Sequence, residues 1–416
     1  MLSVSEAQQA ILAGVKRLEP ETVPLLEALG RVLAEEVTAD TALPPFDNSA
    51  MDGYAVRAAD LIGATPERPV RLPVIADIPA GHPTEVELTA GTIARITTGA
   101  VLPRGADAVV PVEETDDGAR SASALLESVA IYRAIPQGAH VRRTGEDVQR
   151  DEQVLNSGLL IRPAEIALMS AVGHNQVRVY RRPRVALLAT GDELVTPDRV
   201  PGPGQIRNVN EYSTAALVMR YGGVPLLLGI ARDRMERVAA KLEEAVGQGA
   251  DVIVASAGVS VGAYDVVKEA VQAHGSIDLW KVRMRPGKPL AFGFYRQRPF
   301  FGLPGNPVSA MMTFEQFVRP VLRIMCGFTH WKKPAIAVTL LEPIESDGRE
   351  TYARAWVERS GDRWQARLSG GQGSNMLSSL VRANALVIVP EGVHQLAAGA
   401  TVQAQMLDWP EDLDGW

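Results

Sequence analysis

The feature that most constrains the fold is a series of alternating strand-like and helix-like segments between residues 185 and 325. Short apolar stretches, such as residues 185–189 and 251–255, are each followed by a segment with helical spacing. Strands that alternate with helices pair in parallel, because each helix carries the chain back across the sheet. The sequence therefore predicts a doubly wound α/β domain over residues 181–328.

Two regions with different patterns flank this domain. Residues 1–180 begin with helical spacing, which predicts a helix started by Ser3 or Ser5 and a second helix over 22–30, and short apolar runs separated by Pro and Gly follow over about 45–140. Residues 331–408 contain short strand-like runs between turns. We expect a multidomain α/β chain with an N-terminal α+β module that carries a β-rich insertion, the central α/β domain and a small C-terminal β domain.

Composition excludes several classes of partner. The 416-residue chain has a formal net charge of −7 and a single cysteine, Cys326, which rules out an internal disulfide. The negative charge argues against nucleic acid or an anionic membrane surface as a partner. We find no secretory signal and no apolar run near the roughly 18 residues of a membrane helix. We expect a cytoplasmic protein whose anionic ligands are met by local basic groups.

In a doubly wound sheet, ligands bind outside the carboxyl ends of the strands, so the loops there are candidate sites. Residues 190–193 (TGDE) place two carboxylates after the first strand, which suits Mg²⁺ shared with substrate phosphates. The small-residue loop 256–262 offers backbone N–H groups to a phosphate. Its Gly-x-Ser-x-Gly pattern would alternatively make Ser260 a nucleophile, but nothing around the later histidines suggests a catalytic triad.

Two further loops favour anions. In residues 302–307 (GLPGNP), Asn306 can cap the next helix and Pro307 can begin it, and the N-terminus of a helix attracts negative charge. Residues 281–289 place Lys281, Arg283 and Arg285 on one face of an extended segment. The four loops together predict a pocket for a phosphorylated or oxyanionic ligand with a divalent metal.

Several segments resemble a known family. Residues 258–262 (GVSVG), 285–289 (RPGKP) and 302–307 (GLPGNP), in this order, are similar to a molybdopterin-binding domain. Several functions share that domain. The segments that restrict the resemblance to one family are in the N-terminal half: residues 45–55 (PFDNSAMDGYA), 97–100 (TTGA) and 142–147 (RRTGED). The chain resembles the molybdopterin molybdenumtransferase family, whose relatives include the E domain of gephyrin, from about residue 5 to 406.

The resemblance implies a Mg²⁺-dependent transferase of molybdenum cofactor biosynthesis. Its substrates would be molybdate and adenylyl-molybdopterin, and its products molybdenum cofactor and AMP. It also implies a homodimer with shared active sites, to which a molybdopterin adenylyltransferase delivers the substrate. Adenylylation of molybdopterin by ATP is the nearest alternative, because that enzyme shares the central domain. A scaffold that clusters partners, as in gephyrin, is the alternative of a different class.

The loops and the resemblance together give the candidate site residues. The catalytic positions are Asp52, Asp147, Glu193 and Asp265, and the metal positions are Glu193, Asp233 and Asp265. The substrate-binding positions come from all three regions: Thr98, Arg142, Ser256, Gly258, Ser260, Lys281, Arg285, Lys288, Pro304, Asn306, Pro307, Arg354 and Ser374.

Three positions depart from the family's pattern. Ala257 replaces the usual glycine before the GVSVG segment, and Ala263 replaces the glutamate that usually follows it. The loss of this glutamate leaves Asp265 as the carboxylate of a less acidic metal side. Arg285 replaces a lysine, which keeps the charge but exchanges a compact donor for a planar fork that grips phosphate differently.

Overall fold

The structure is a computed structural model that describes residues 1–118, 124–256 and 263–410. The chain forms two compact units. The first comprises Met1–Thr22, Gly30–Ala34 and Arg178–Trp416, and the second comprises Val23–Leu29 and Glu35–Val177. No helix in the described ranges is both long and apolar enough to cross a lipid bilayer.

The described residues form eight α-helices, three 3₁₀ helices (Leu25–Ala28, Ala58–Leu61 and Val112–Glu114) and one π-helical turn (Phe314–Val318) that joins the sixth and seventh α-helices. The α-helices are α1 (Val4–Leu12), α2 (Pro163–Ala171), α3 (Asn210–Arg220), α4 (Met235–Gly247), α5 (Ala263–Gln272), α6 (Pro307–Thr313), α7 (Arg319–Met325) and α8 (Leu377–Val381).

The strands of the described residues are β1 (Pro20–Pro24), β2 (Val37–Thr38), β3 (Asn48–Ser49), β4 (Gly53–Val56), β5 (Val70–Ile78), β6 (Ile93–Ile96), β7 (Ala108–Pro111), β8 (Ser128–Ile131), β9 (Val141–Arg142), β10 (Gln153–Leu155), β11 (Gln176–Tyr180), β12 (Arg184–Thr190), β13 (Leu194–Val195), β14 (Ile206–Arg207), β15 (Val224–Ala231), β16 (Val252–Ser256), β17 (Gly275–Lys281), β18 (Met284–Arg285), β19 (Pro289–Tyr295), β20 (Arg298–Leu303), β21 (Ala335–Leu340), β22 (Ile344–Glu345), β23 (Glu350–Ser360), β24 (Arg363–Leu368), β25 (Ala385–Val389), β26 (Gln395–Leu396) and β27 (Thr401–Met406).

The predicted central domain is confirmed, with one reversed strand. Its six-stranded sheet has the order β15-β12-β16-β20-β19-β17, in which β15, β12, β16 and β20 are parallel. Strand β19 runs antiparallel to both of its neighbours, β20 and β17. Only residues 282–288 separate β17 from β19, and a parallel connection needs about a dozen residues or more.

Apolar side chains cover both faces of this sheet. Val185 and Leu187 of β12 join one buried cluster with residues of α3 and of the helix from α6 to α7. Ala186 and Leu188, which point to the other face, join a second cluster with α4 and α5. Side chains that alternate along a strand can enter two cores only when both faces are covered. This double packing leaves the carboxyl ends of the strands as the place for a site.

The C-terminal β domain is a closed ring of strands. Its order is β18-β23-β24-β21-β27-β25, and a further pairing of β23 with β25 closes the five longer strands on themselves. Strand β18, which belongs to the basic segment after β17, pairs in parallel with the start of β23. This pairing brings the basic segment of the central domain beside the C-terminal domain.

The N-terminal module contains the predicted β-rich insertion. A five-stranded sheet has the order β7-β4-β6-β5-β8 and buries apolar residues on both faces. Two short pairings accompany it, β3 with β9 and β2 with β10.

One predicted N-terminal helix forms and the other does not. The Ser3 side chain accepts the backbone N–H of Glu6, whose carboxylate accepts the N–H of Ser3, so α1 begins with a capping box. The helix expected over 22–30 is wrong, because a strand and a 3₁₀ turn occupy these residues. Leu26 and Leu29 are exposed, so only Val23 and Ala28 of this segment contribute buried apolar side chains, which is little packing to stabilise an α-helix.

Candidate active site

A basic cavity of about 500 Å³ lies where the central and C-terminal domains meet. It is lined by Arg285, Pro286, Gly287, Lys288, Pro289, Pro304, Gly305, Asn306, Ser309, Arg349, Gln372, Gly373 and Ser374. The charge of Arg349 is balanced by an ion pair with Asp347. Arg285 and Lys288 form no ion pair with any described residue. The cavity therefore offers two cations to an anionic ligand.

Arg354 lies behind this cavity and anchors one of its walls. Its side chain is only 1% exposed, and it donates from Nε to Oγ of Ser379 at 2.8 Å and from Nη2 to the carbonyl of Gly371 at 2.9 Å. All these acceptors are neutral. Burial, followed by the positive charge of Arg285, lowers the pKa of Arg354 to about 10, so the group stays charged at neutral pH. It adds positive potential to the cavity without lining it.

Gln372 fixes the same wall. Its Oε1 accepts the N–H of Arg354 at 2.9 Å, and its Nε2 donates to the carbonyls of Arg354 at 3.1 Å and Gly370 at 2.9 Å. Residues 370–374 are thus held as a loop over Arg354. Ser374, at the end of this loop, accepts a hydrogen bond from Nδ2 of Asn306 at 3.1 Å.

A second cavity of about 710 Å³ adjoins the first and shares Gly305 and Asn306 with it. Its lining mixes apolar and polar side chains: Glu193, Leu194, Pro201, Gln205, Ile206, Arg207, Asn208, Val209, Asn210, Ser256, Gly305, Asn306 and Pro307. This lining suits an organic group with hydrogen-bonding edges. The two cavities together fit a ligand with an organic end and an anionic end.

Four polar residues that the sequence analysis missed shape the second cavity. Asn210 donates from Nδ2 to the carbonyl of Gly305 at 2.8 Å. Asn208 donates to Oε2 of Glu211 at 2.8 Å, and Oε1 of Glu211 accepts the N–H of Gly229 at 2.7 Å. Burial raises the pKa of Glu211. The fourth is Arg207, whose Nε donates to the carbonyls of Pro197 and Arg199. The sequence did contain a signal for these residues. It is the polar run Arg207-Asn208-Val209-Asn210-Glu211, which leads into α3.

Carboxylates gather at the end of β12. Burial raises the pKa of Asp233, and the negative charges of Asp192 and Glu193 raise it further. Gly191 has a φ of +147°, a backbone conformation that favours glycine, and a Cβ atom there would lie 2.5 Å from Oε2 of Glu193, so a larger residue would displace this carboxylate. Asp265 is exposed in the first turn of α5.

No three His, Cys, Asp or Glu side chains among residues 1–118, 124–256 and 263–410 are grouped closely enough to hold a metal ion by themselves. The expected metal positions are therefore no preformed cage. The charges of Glu193 and Asp233 interact, whereas Asp265 is not among the groups that shift the pKa of Asp233.

Several other predicted residues have clear places. Ser256 ends β16 and lines the second cavity, where Pro307 also lies, while Pro304 lines the first. Gly258 and Ser260 lie outside the described residues. Lys281 is exposed at the end of β17 and lines neither cavity.

Arg283 is directed elsewhere than the site. Val282 and Met284 are buried on either side of it, which agrees with the predicted alternation of the basic segment. Its guanidinium, however, forms an ion pair with Glu391 of the C-terminal domain. The row of three cations on one face thus supplies only Arg285 to the basic cavity.

The predicted residues of the N-terminal module lie in the second unit. Oδ1 of Asp52 accepts hydrogen bonds from the backbone N–H of Thr98 at 2.7 Å and from its hydroxyl at 2.9 Å. Arg142 is exposed on β9, and Asp147 is exposed after it. These side chains face solvent within their own unit and are available to a ligand or to a second chain.

The carboxylate of Asp47, in the same unit, accepts a similar set of hydrogen bonds. Oδ1 of Asp47 accepts from the N–H of Thr144 at 2.8 Å, and Oδ2 accepts from Nη1 of Arg143 at 2.6 Å. The Thr144 N–H, followed by the Arg143 guanidinium, lowers the pKa of Asp47. This carboxylate is fully used in holding the 142–147 segment.

Comparison with protein families matches nearly the whole chain. Residues 2–173 match the MoeA N-terminal region (domain I and II), residues 186–324 a probable molybdopterin binding domain, and residues 337–407 the MoeA C-terminal region (domain IV).

Individual relatives match over their full length. The chain is 40% identical to molybdopterin molybdenumtransferase 2 of Mycobacterium tuberculosis, which covers 97% of this chain and 99% of the relative. It is 38% identical to a molybdopterin molybdenumtransferase of Nostoc sp., over 97% and 93% of the two chains. A crystal structure of molybdopterin biosynthesis moea protein from Pyrococcus horikosii is 31% identical and covers 100% of both chains with a TM-score of 0.80. The chain therefore belongs to the molybdopterin molybdenumtransferase family.

Proposed function

We propose that this protein inserts molybdate into adenylyl-molybdopterin and releases molybdenum cofactor and AMP. The observation that carries the proposal is the pair of adjoining cavities, one basic and one suited to an organic group, joined at Gly305 and Asn306. The substrate would span both, with its organic part in the larger cavity. Molybdate would occupy the basic one.

The basic cavity supplies the groups that an oxyanion needs. Arg285 and Lys288 provide charge, and Ser374 provides a hydroxyl beside them. Arg354 adds positive potential from behind the wall and keeps the 370–374 loop in place. Charge-assisted hydrogen bonds from such groups bind a dianion more strongly than neutral donors do. Their role is to hold molybdate next to the dithiolene sulfurs.

The larger cavity provides hydrogen bonds and apolar contact for the organic part. Asn208 and Asn210 are held by Glu211 and by the Gly305 carbonyl, so their positions are fixed before a ligand arrives. Leu194 and Ile206 give apolar surface. Fixed polar groups in an apolar cavity orient a ligand at little cost in conformational entropy.

We propose Mg²⁺ as the metal, bound together with the substrate's pyrophosphate. Mg²⁺ usually keeps several waters and takes one or two carboxylates plus substrate phosphates, so it fits a cluster that holds no three-ligand cage. Of the candidates Glu193, Asp233 and Asp265, one or two would contact the ion directly, and the others would interact with it through its waters. Burial raises the pKa of Asp233, and the negative charges of Asp192 and Glu193 raise it further; a cation bound there would relieve this repulsion. When bound, Mg²⁺ would neutralise the pyrophosphate.

We further propose a homodimer in which the N-terminal module of one subunit completes the site of the other. Asp52, with Thr98 fixed beside it, and Asp147 are the carboxylates that would then assist proton transfers, with Arg142 near the substrate. A molybdopterin adenylyltransferase would supply the substrate. The exposure of these side chains within their own unit supports this arrangement.

The test is a purified reaction with adenylyl-molybdopterin, molybdate and Mg²⁺. Release of AMP together with cofactor that activates a cofactor-free molybdoenzyme is the expected result, without ATP. A Lys288→Gln variant removes one of the two cations of the basic cavity and should release less AMP and cofactor. A requirement for ATP would instead favour the adenylylation of molybdopterin, and absence of both products would overturn the proposal.

A further inference from the structure

A third cavity, of about 530 Å³, lies at the opposite edge of the central sheet from the candidate site. Residues 249–251 come directly before β16 and Arg298 begins β20, so this cavity is at the amino ends of parallel strands. We call it the amino-edge cavity. Its charged and long polar side chains are those of Lys16, Arg17, Arg181, Asp251, Arg296, Gln297 and Arg298.

Two of its five cations are balanced by carboxylates. Arg181 donates from Nη1 and Nη2 to the two carboxylate oxygens of Asp251, both at 2.6 Å, and it also bonds Glu19. Arg296 donates from Nε and Nη2 to Oε1 of Glu243 at 3.0 and 2.9 Å. These two arginines are thus structural ion pairs at the rim.

The other three cations have no carboxylate partner within the described ranges. Arg298, which is half-buried, donates only to the carbonyls of Ala250 at 2.7 Å and Arg296 at 3.0 Å. Arg17 donates to the hydroxyl of Tyr180 at 3.3 Å, and Lys16 is exposed. Arg181 and Arg296 together contact three carboxylates, those of Asp251, Glu19 and Glu243, so the five cations leave a net excess of two positive charges. In a chain with a net charge of −7, this local excess attracts anions.

The turn at the rim of this cavity is strained. Arg296 and Gln297 form the two-residue connection between β19 and β20, and their φ angles are +44° and +67°. Positive φ at both positions is typical of a type I′ turn, which favours Asn-Gly and which other residues rarely adopt. Strained residues of this kind concentrate at ligand sites. Here the strain places two long polar side chains on the cavity.

We propose that the amino-edge cavity binds the diphosphate group of a small molecule. The net excess of two positive charges matches the two or three negative charges of a diphosphate, and guanidinium groups pair with phosphate oxygens through two donors at once. Val15, Leu18, Phe294, Pro299 and Met325 add an apolar wall against which an organic substituent can pack. This site is separate from the two cavities of the proposed function and does not depend on it.

The test is calorimetric titration of the full-length protein with inorganic pyrophosphate and, separately, with ADP, in low salt and without Mg²⁺. The background is Arg285→Gln/Lys288→Gln, because the basic cavity also attracts phosphate. Saturable binding should persist there and weaken about tenfold or more when Lys16→Gln/Arg17→Gln is added. Tighter binding of ADP would identify an organic diphosphate as the ligand, and equal or tighter binding of pyrophosphate would identify the inorganic ion.

Two results would overturn the proposal. One is the absence of saturable binding at millimolar titrant in the Arg285→Gln/Lys288→Gln background. The other is an equal loss of binding in Arg237→Gln/Arg363→Gln, which removes two exposed cations that do not line the cavity and so measures general charge. Loss of molybdate insertion in the Arg285→Gln/Lys288→Gln protein is what the proposed function expects. It does not bear on the amino-edge cavity.

A second measurement uses the strained turn. Arg296→Asn/Gln297→Gly supplies the residues that a type I′ turn favours, so the melting temperature should rise while the affinity for pyrophosphate falls. A variant that folds better yet binds worse cannot owe its weaker binding to unfolding. Unchanged affinity in a stabilised variant would remove the turn from the ligand site.

Discussion

Nδ2 of Asn306 donates a hydrogen bond to Oγ of Ser374 at 3.1 Å, and this contact joins the loop before α6 to the 370–374 loop of the C-terminal domain. Asn306 lines both cavities of the candidate site, and Ser374 lines the basic one. Asn306 occupies the N-cap position directly before α6 and has an extended backbone. Its side chain, however, makes no capping hydrogen bond to the helix. The side chain is used to connect the two walls of the site.

We predict that Ser374→Ala weakens molybdate use without destabilising the fold. The proposed hydrogen bond from this hydroxyl to molybdate contributes about 1 kcal/mol, so the KM for molybdate should rise by about three- to tenfold. The Asn306–Ser374 contact is exposed, so its loss should have little effect on stability. AMP release at varied molybdate measures the change, and thermal unfolding should be unaltered. Ser374→Thr keeps the hydroxyl and is the control. An equal effect of both variants would point to shape and not to the hydrogen bond.

Arg354 should matter to both stability and anion binding. Arg354→Met removes donors to Ser379, Gly371 and Gly373 and leaves buried acceptors unpaired, which should cost about 3 kcal/mol of unfolding free energy. Urea unfolding measures this loss, and the KM for molybdate should rise as well. Arg354→Lys keeps the charge but not the fork, so it should recover part of the anion binding. Wild-type stability in Arg354→Met would contradict the anchoring role.

Much of this site follows from the sequence, because strand-end loops can be located from apolar spacing alone. Ser256, Arg285, Lys288 and Asn306 were found in this way and lie at the cavities. The contacts that orient them were not predictable. Gln372 bonds Arg354 across 18 residues, and Asn210 bonds Gly305 across 95. Such pairings are decided by how the domains pack, which local pattern does not record.

Arg283 is another residue whose contact partner could not be predicted from local sequence. Its alternation with buried neighbours was visible in the sequence, but its partner Glu391 is 108 residues away. Likewise, the segment 22–30 was predicted as a helix, but Leu26 and Leu29 are exposed and the residues form a strand and a 3₁₀ turn. The spacing of apolar residues predicts which face of an element a side chain is on, but it does not identify the residues that the side chain contacts.

Asp233→Asn should stabilise the protein at neutral pH and impair Mg²⁺-dependent turnover. The folded-state pKa of Asp233 is raised above 3.8, so folding favours the protonated form, and that contribution is present below pH 3.8 and lost as the pH rises through the folded-state value. Near pH 7 the ionised group repels Asp192 and Glu193. The melting temperature of the variant should exceed that of the wild type at pH 7, and the difference should shrink as the pH falls towards 3.8. A constant difference across this range would remove the charge explanation.

Asp265→Asn should lower turnover at limiting Mg²⁺ while leaving the fold intact, since an exposed carboxylate in the first turn of α5 contributes charge and no core packing. Initial rates over a Mg²⁺ series should show a higher Mg²⁺ requirement. Glu269→Gln, one turn further along the same helix, is the matched control and should behave as the wild type. Unchanged activity of Asp265→Asn at limiting Mg²⁺ would exclude Asp265 from the metal role.

The last prediction concerns the shared site. Asp52 lies in the second unit of the chain and Asp265 in the first, and in the proposed homodimer each site draws Asp52 from one subunit and Asp265 from the other. Asp52→Ala and Asp265→Ala proteins should each be inactive, yet a mixed dimer would contain one site with both carboxylates intact. Random exchange makes about half of the dimers mixed, and each restores one of its two sites, so up to about a quarter of wild-type activity should return. Exchange must be confirmed separately, for example with subunits that carry different tags. If exchange occurs and no activity returns, each chain completes its own site.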